Sequence, residues 1–363
     1  MVYAFLVLFV AYSLIVLAFI GAWRTASKER ESTLSVKPSI TVLVPMRNES
    51  VNVGVLIEDL KSQTYSNFQV VLIDDHSDDN TIDVAKKHIG SDTRFIILWS
   101  PEIGKKRALR TGVENSTAEI IVTTDADTRR EREWLSIISQ SFQDASLEML
   151  VGPVKVQSRN FFGDLQAIEF AALIGTTAAT IRLGYPTMCN GANLAFRRNT
   201  FQAVGGYDDN FNIASGDDEF LMRKVIQHGG QVRFLMNPLG VVSTSAMSSV
   251  GDFVSQRLRW AGKWRYNNSG HTVLLALTIF LFQLSTIGWM ILLVARHQPW
   301  LAASVLLTKA AIEAFFLIPV CRFLKVRWNW LAFTALQLLH PFYVVGIGLF
   351  SNFLSSSWKG RKI

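Results

Sequence analysis

Glu119-Ile-Ile-Val-Thr-Thr-Asp-Ala-Asp-Thr128 decides how the rest of the chain is read. Its run of Ile, Val and Thr reads as a buried strand, and in open α/β sheets ligands gather at the carboxyl ends of such strands. Asp125 and Asp127 stand at that end. With one residue between them, their carboxylates can turn toward a single hard cation of the Mg2+ type, which takes one or two carboxylates together with phosphate oxygens and water. The same pattern is also a common solvated turn, so the metal-diphosphate reading needs support from elsewhere in the chain.

Hydrophobicity is spread unevenly over the 363 residues. Segments 2–23, 272–294, 300–320 and 330–350 each approach the roughly 20 apolar residues that cross a bilayer, which predicts a multi-pass integral membrane protein with a water-soluble middle. The net charge of +7 comes from basic residues clustered beside the apolar segments, a pattern of cytoplasmic flanks and anionic lipid that argues against nucleic acid as partner. Cys189 and Cys321 stand far apart without companion histidines, so neither a disulfide framework nor a zinc site is indicated. The first apolar segment has no positive leader and is followed by Arg24, Lys28 and Arg30. That order predicts a retained anchor in the inner membrane, with its amino end outside and the middle of the chain in the cytoplasm.

The middle opens with Ser39-Ile-Thr-Val-Leu-Val-Pro-Met-Arg-Asn-Glu49, an apolar strand ending in a polar turn. A second strand, Phe68 to Ile73, runs into Asp74-Asp75-His-Ser-Asp78, and a third, Phe95 to Trp99, precedes Gly104-Lys-Lys-Arg-Ala108 at a helix start. Strands alternating with helices predict right-handed βαβ units and a mostly parallel sheet flanked by helices. The polar strand ends then face one crevice. Turns and helix caps account well for Asp78 and Asp79, and less well for Asp75, Lys105, Asp125 and Asp127 taken together.

These stretches, with Gly191-Ala-Asn-Leu-Ala-Phe196, Gly205-Gly-Tyr207, Gly216-Asp-Asp218 and Gln256-Arg-Leu-Arg-Trp260, resemble in content and order a family 2 glycosyltransferase. That is the inverting GT-A fold class that includes the cellulose, hyaluronan and ceramide glucosyl synthases. The resemblance covers about residues 38–265, and it implies a GT-A-type sheet with transmembrane helices at both ends of the chain. It further implies that Pro45, Arg47, Glu49, Asp74, Asp75, Lys105, Asp125 and Arg259 bind a nucleotide-sugar donor. Asp125 and Asp127 resemble the ligands of Mg2+ or Mn2+. Asp218 aligns with the general base that takes the acceptor's proton; Asp217, Gln256 and Trp260 resemble acceptor-side residues. Glu219 reads better as a first-turn acid of the helix that follows.

The expected organisation is an anchor at 1–23, a linker at 24–37, a GT-A catalytic domain at 38–248 and an amphipathic interfacial segment at 249–271. Three transmembrane segments at 272–352 and a basic tail at 353–363 complete it. Within the amphipathic segment Gln256, Arg259 and Trp260 share a helix face, whereas Arg257 points elsewhere and is expected to face lipid. Phe161 to Leu183, interrupted by Gln166, Glu169 and Arg182, is expected to lie on the membrane and line the acceptor entrance. Lys309 and Glu313, spaced i, i+4 in an apolar stretch, are expected to pair with each other. His340-Pro341 sits inside the last stretch, for which a full crossing is favoured over a re-entrant hairpin.

The leading function is transfer of one sugar from a nucleotide-diphosphate donor, UDP-linked, to a hydroxyl of a membrane-embedded lipid or glycolipid. A processive polysaccharide synthase and a catalytically inactive membrane scaffold are the alternatives. Intact Asp125, Asp127, Asp218 and Arg259 speak against the scaffold. The residues name neither the sugar nor a protein partner.

Overall fold

The computed structural model describes residues 2–26, 37–208, 216–266, 269–351, 357–358 and 361–362. Most of the expected linker, with Lys28 and Arg30, lies outside the described residues, as do Ser215 and most of the basic tail. The chain divides into two compact units, one of residues 29–155 and 188–245, the other of residues 1–28, 156–187 and 246–363.

The first unit is α/β. Its early strands, β1 (Ile40–Met46), β2 (Phe68–Asp74), β3 (Phe95–Trp99) and β4 (Ile120–Thr123), alternate with helices α2 (Val53–Lys61), α3 (Thr81–Ile89) and α4 (Lys105–Glu114). Beyond them come α5 (Trp134–Ser141) and β5 (Leu147–Val151), then β7 (Leu194–Arg197), α7 (Arg198–Ala203), α8 (Asp217–Gln227) and β8 (Gln231–Phe234). Short strands β6 (Val154–Gln157) and β9 (Val242–Ser245) lie outside the main sheet. That sheet has seven strands in the order β3-β2-β1-β4-β7-β5-β8.

β1 to β4 pair in parallel, as expected for strands joined by crossover helices. The interior of β1 and β2 is buried almost residue for residue, so both read as continuous apolar runs with no alternation. β7 runs antiparallel to both its neighbours, β4 and β5, and β5 and β8 are again parallel. The sheet is therefore mostly parallel, with one reversed strand beside the central β4.

The second unit is helical. It holds α1 (Val2–Ala26), α6 (Phe161–Arg182), α9 (Val250–Gly262), α10 (Gly270–Ala295), α11 (Pro299–Phe323) and α12 (Trp330–Phe350). Four of these, Tyr3–Thr25, Gly270–Ala295, Pro299–Phe323 and Trp330–Phe350, are long and apolar enough to cross a membrane. Helix α12 continues through Pro341 without a break. α1 packs on α10 through stacked rings, Phe5 on Trp289 at 4.7 Å and Tyr12 on Phe282 at 4.2 Å between centroids.

α6 is not one of the four, and it packs against α1, α11 and α12. Gly175 permits the approach to α11, since a Cβ there would meet Phe316 and Val320 at 2.9 Å. The polar residues that interrupt α6, Gln166 and Glu169, are buried. Lys309 and Glu313 do meet, at 2.8 Å, and Lys309 is 2% exposed. Gln337 accepts from Lys309 at 2.8 Å and donates to Glu313 at 2.9 Å, while Tyr12 donates to the other Glu313 oxygen. The charges thus satisfy one another among apolar helices, where an unpaired charge is expensive.

Candidate active site

Helix α4 starts at Lys105 because Gly104 turns the chain with φ +124°, a conformation that favours glycine. This aims the Lys105 ammonium at the end of β4, where Nζ lies 2.6 Å from Asp125 Oδ1. The same nitrogen lies 4.0 Å from Asp217 Oδ2 in the first turn of α8. Burial favours loss of the lysine proton, but Asp125, Asp217 and Asp218 outweigh it and hold the pKa above the usual lysine range. The Asp217 carboxyl is pushed upward by its own burial and by Asp218, against the pull of Lys105.

Asp218 is held at the start of α8, an end whose dipole favours negative charge. Its Oδ2 accepts the Gly191 N–H at 2.8 Å and its Oδ1 the Glu219 N–H at 2.7 Å. Gly191 is itself tied to β4, because Thr123 Oγ1 donates to its carbonyl at 2.7 Å and Thr124 Oγ1 donates to the Ala192 carbonyl at 2.9 Å. A Cβ on Gly191 would sit 3.4 Å from Asp217 Oδ2, 3.6 Å from Asp218 Cβ and 3.7 Å from Lys105 Nζ. Four separate stretches of sequence therefore converge: the β4 end, the α4 start, the Gly191 turn and the α8 start.

Thr123, Thr124 and Asn193 are the residues that sequence reasoning passed over. Asn193 is 1% exposed; it accepts from Trp134 Nε1 at 3.0 Å and donates to the carbonyls of Pro153 at 2.8 Å and Gly240 at 2.9 Å. It lies within Gly191-Ala-Asn-Leu-Ala-Phe196, but nothing local marks it as a hub. Arg130 was also passed over. Buried over the Trp134 ring, it donates to the Thr128 carbonyl and hydroxyl, both at 2.7 Å, and burial lowers its pKa to about 10. Thr128 in turn donates to the Asp125 carbonyl at 2.6 Å, so Arg130 braces the turn that carries both aspartates.

The remaining donor-side candidates apart from Arg259 gather toward the ends of β1 and β2. Asp75 is 1% exposed and accepts the Gly104 N–H at 2.8 Å, so it shapes the turn into α4. Burial raises its pKa, against the Gly104 N–H, His76 and Arg47. Asp74 is fully buried; one oxygen accepts from Ser77 N–H at 3.2 Å and the other has no partner. Arg47 donates to the Asp75 carbonyl at 3.1 Å and to Asp78 at 3.0 Å, tying the two strand ends together. Glu49 is buried and accepts from Asn52 at 2.8 Å, and Pro45 is half-buried within β1.

Gln256, Arg259 and Trp260 lie on α9, in the helical unit, and all three are half-buried. Arg257 corrects an expectation: it does not face lipid but is 5% exposed, with Nη2 2.5 Å from Glu169 Oε2. The neighbour on that side of α9 is α6, whose buried carboxylate needs an opposite charge.

Asp125 is half-buried and Asp127 exposed. Among the described residues no group of three or more His, Cys, Asp or Glu side chains gathers as a metal cage. One half-buried and one exposed carboxylate, a residue apart, fit a cation whose other ligands are phosphate oxygens and water.

Residues 41–205 match the family described as Glycosyl transferase family 2. This span includes Lys105, Asp125, Asp127 and Gly191 and stops before Asp218 and α9. The chain is 25% identical over 253 residues to a poly-β-1,6-N-acetyl-D-glucosamine synthase of Staphylococcus aureus, covering 69% of this chain and 58% of that protein. It is 24% identical over 262 residues to an N-acetylglucosaminyltransferase of Neorhizobium galegae, covering 67% of this chain and 59% of that one. It thus spans less than two thirds of the curated relatives it matches. Among solved structures, a mannosyltransferase from Pyrobaculum calidifontis in complex with GDP-Man and Mn2+ is similar with a TM-score of 0.61 and 18% identity. That likeness covers 97% of this chain and 99% of the other, and it concerns the fold alone. The α/β unit has a GT-A-type fold, and residues 41–205 are a family 2 glycosyltransferase domain.

Proposed function

We propose that the chain is an inverting glycosyltransferase that moves one sugar from a UDP-linked donor to a hydroxyl of a membrane-embedded lipid or glycolipid. The observation that carries this reading is the Lys105 ammonium 2.6 Å from Asp125 and 4.0 Å from Asp217, beside an Asp218 carboxylate oriented by the Gly191 N–H. A positive pole for a diphosphate and a positioned base stand in one cluster.

In the proposed reaction Asp218 accepts the proton of the acceptor hydroxyl as that oxygen bonds to the anomeric carbon. The bond from that carbon to the diphosphate oxygen breaks, and the electron pair leaves with the nucleoside diphosphate. A single displacement inverts the anomeric centre. Lys105 and Arg259 balance the charge growing on the leaving group, and Asp217, Gln256 and Trp260 hold the acceptor. Pro45, Arg47, Glu49, Asp74 and Asp75 form the wall for base and ribose, acting in part through the strand-end turns they brace. Asp125 and Asp127 would hold Mg2+ or Mn2+, which supplies further charge neutralisation at the diphosphate when bound. The roles of Arg259, Gln256 and Trp260 rest on the Gln-x-x-Arg-Trp resemblance. Arg24 in the last turn of α1 supports a multi-pass arrangement with the α/β unit on the cytoplasmic side.

A second reading, a processive polysaccharide synthase, is favoured by the relatives named as poly-β-1,6-N-acetyl-D-glucosamine synthases. Against it, Lys309, Glu313, Gln337 and Tyr12 bond to one another and leave their polar groups satisfied without a sugar. The deciding experiment incubates membranes containing the chain with a panel of radiolabelled nucleotide sugars and partitions the products. Label in the organic phase, on a lipid bearing one or a few sugars, is the expected result. Long water-soluble polymer from the purified chain would refute it.

A further inference from the structure

Helix α9 carries three residues assigned to the donor and acceptor, and the residue between Gln256 and Leu258 fixes two of them. The Arg257 guanidinium donates from Nη1 to Gln256 Oε1 at 2.8 Å. Its carbon lies 4.4 Å from the centre of the Trp260 ring and 4.6 Å from that of Phe253, so the planar cation backs the tryptophan face. Nη2 is bonded to Glu169 Oε2 at 2.5 Å, and Glu169 Oε1 accepts the Tyr343 hydroxyl at 3.1 Å. Tyr343 also packs its ring 5.7 Å from Phe253, and Trp260 lies 6.0 Å from Phe170 on α6. Glu169, Arg257 and Tyr343 come from α6, α9 and α12, three helices of the same unit.

We propose that Glu169, Arg257 and Tyr343 are positioning residues for acceptor binding: they form a clamp through which α6 and α12 set the orientation of Gln256 and Trp260. A buried ion pair adds little net stability over a well-packed apolar pair, so what this one adds is direction. The guanidinium suits the task because it is flat and presents separate N–H edges. One edge is spent on Glu169, another on Gln256, and the face on Trp260, an arrangement a lysine cannot reproduce. The glutamate needs its own fixed point, and the Tyr343 hydroxyl provides it. The arrangement accounts for a carboxylate buried in the middle of α6 and for an arginine that does not face lipid.

The inference rests on the reading that Gln256 and Trp260 serve the acceptor. Its test uses the full chain in detergent micelles, with a membrane lipid extract as titrated acceptor and the labelled nucleotide sugar that gives most product. Tyr343→Phe and Arg257→Lys are compared with Trp260→Ala. Tyr343→Phe removes one hydroxyl, and Arg257→Lys keeps the charge while losing the fork. Both variants are expected to lower kcat/KM for the lipid extract about tenfold, the loss of one hydrogen bond to a charged group. Donor affinity, read with labelled UDP, and slow hydrolysis of the donor by water are expected to stay within about twofold, because neither needs Trp260 to be oriented. A parallel fall in donor affinity or hydrolysis would mean the clamp merely holds the fold, and would overturn the proposal. Wild-type transfer by both variants while Trp260→Ala is impaired overturns the proposal alone. Wild-type transfer by Trp260→Ala overturns the acceptor role of α9, and the clamp with it.

Discussion

Replacing Asp218 by asparagine tests the proposed chemistry at its centre, and the structure says the change has two separable consequences. Both carboxylate oxygens are engaged, Oδ2 by the Gly191 N–H at 2.8 Å and Oδ1 by the Glu219 N–H at 2.7 Å. Each oxygen keeps a second lone pair, so the aspartate can be held in place and still accept a proton. An amide has one oxygen. Whichever way it turns, one of the two backbone N–H groups meets an NH2, and a half-buried donor left unpaired costs about 1–3 kcal/mol. The variant should therefore melt a few degrees lower while the Lys105–Asp125 contact at 2.6 Å is untouched. Loss of the base is the second and larger effect. General-base catalysis contributes about 10²–10⁴-fold, or roughly 2.7–5.5 kcal/mol of barrier. The assay pairs single-turnover transfer from labelled donor with calorimetric titration of the donor. Transfer reduced by more than about 100-fold at near-normal donor affinity is the expected outcome. A smaller fall, or one matched by weaker donor binding, removes Asp218 from the role of base.

Three further outcomes are expected. Asp127→Ala should weaken donor binding and shift the Mn2+ requirement to higher concentration, since one of two carboxylates is lost; unchanged activity in chelator would contradict the metal assignment. Asp75→Asn should raise stability while lowering donor affinity. Burial raises the Asp75 pKa in the fold, so the wild type loses stability as pH rises from the unfolded value, about 3.9, through the folded one. The variant's advantage in Tm should accordingly grow upward from about pH 4 and then level off, and an advantage independent of pH would refute the cause. Lys309→Met strands a buried Glu313 and should cost about 3–5 kcal/mol in detergent-solubilised stability, with most of it restored by adding Glu313→Gln and no change in product size. A longer product in either variant would point to a polymer path.

Much of this arrangement is legible in the chain because burial and strand ends are local properties. The runs at Ile40–Met46, Phe68–Asp74 and Ile120–Thr123 declare buried strands, and the polar residues after them announce a crevice. Direction is less legible. Leu194–Arg197 looks like any short apolar strand, yet it is the reversed one, because direction follows from how a strand's connections run and not from its side chains. The couplings inside the site were hidden for a related reason. Thr123 reaches a carbonyl at Gly191 and Asn193 reaches Pro153 and Gly240, pairings between distant positions that no window of sequence contains. Arg257 departs from the lipid-facing expectation because its helix has a charged neighbour, Glu169 of α6, on the side where helix spacing alone suggests lipid.

The helical unit is built from residues 1–28, 156–187 and 246–363, so the chain leaves the α/β unit and returns to it around α6. A soluble enzyme cannot be obtained by cutting off both ends. A fragment spanning 38–248 would still carry α6, now stripped of α1, α9, α11 and α12, and would bare Ile168, Phe170 and Ile174 to water together with Glu169, whose partner Arg257 is gone. Such a fragment would self-associate through that helix. Excising 158–187 as well, and joining the end of β6 toward the Gly191 turn with a short polar loop, is the cut the connectivity invites.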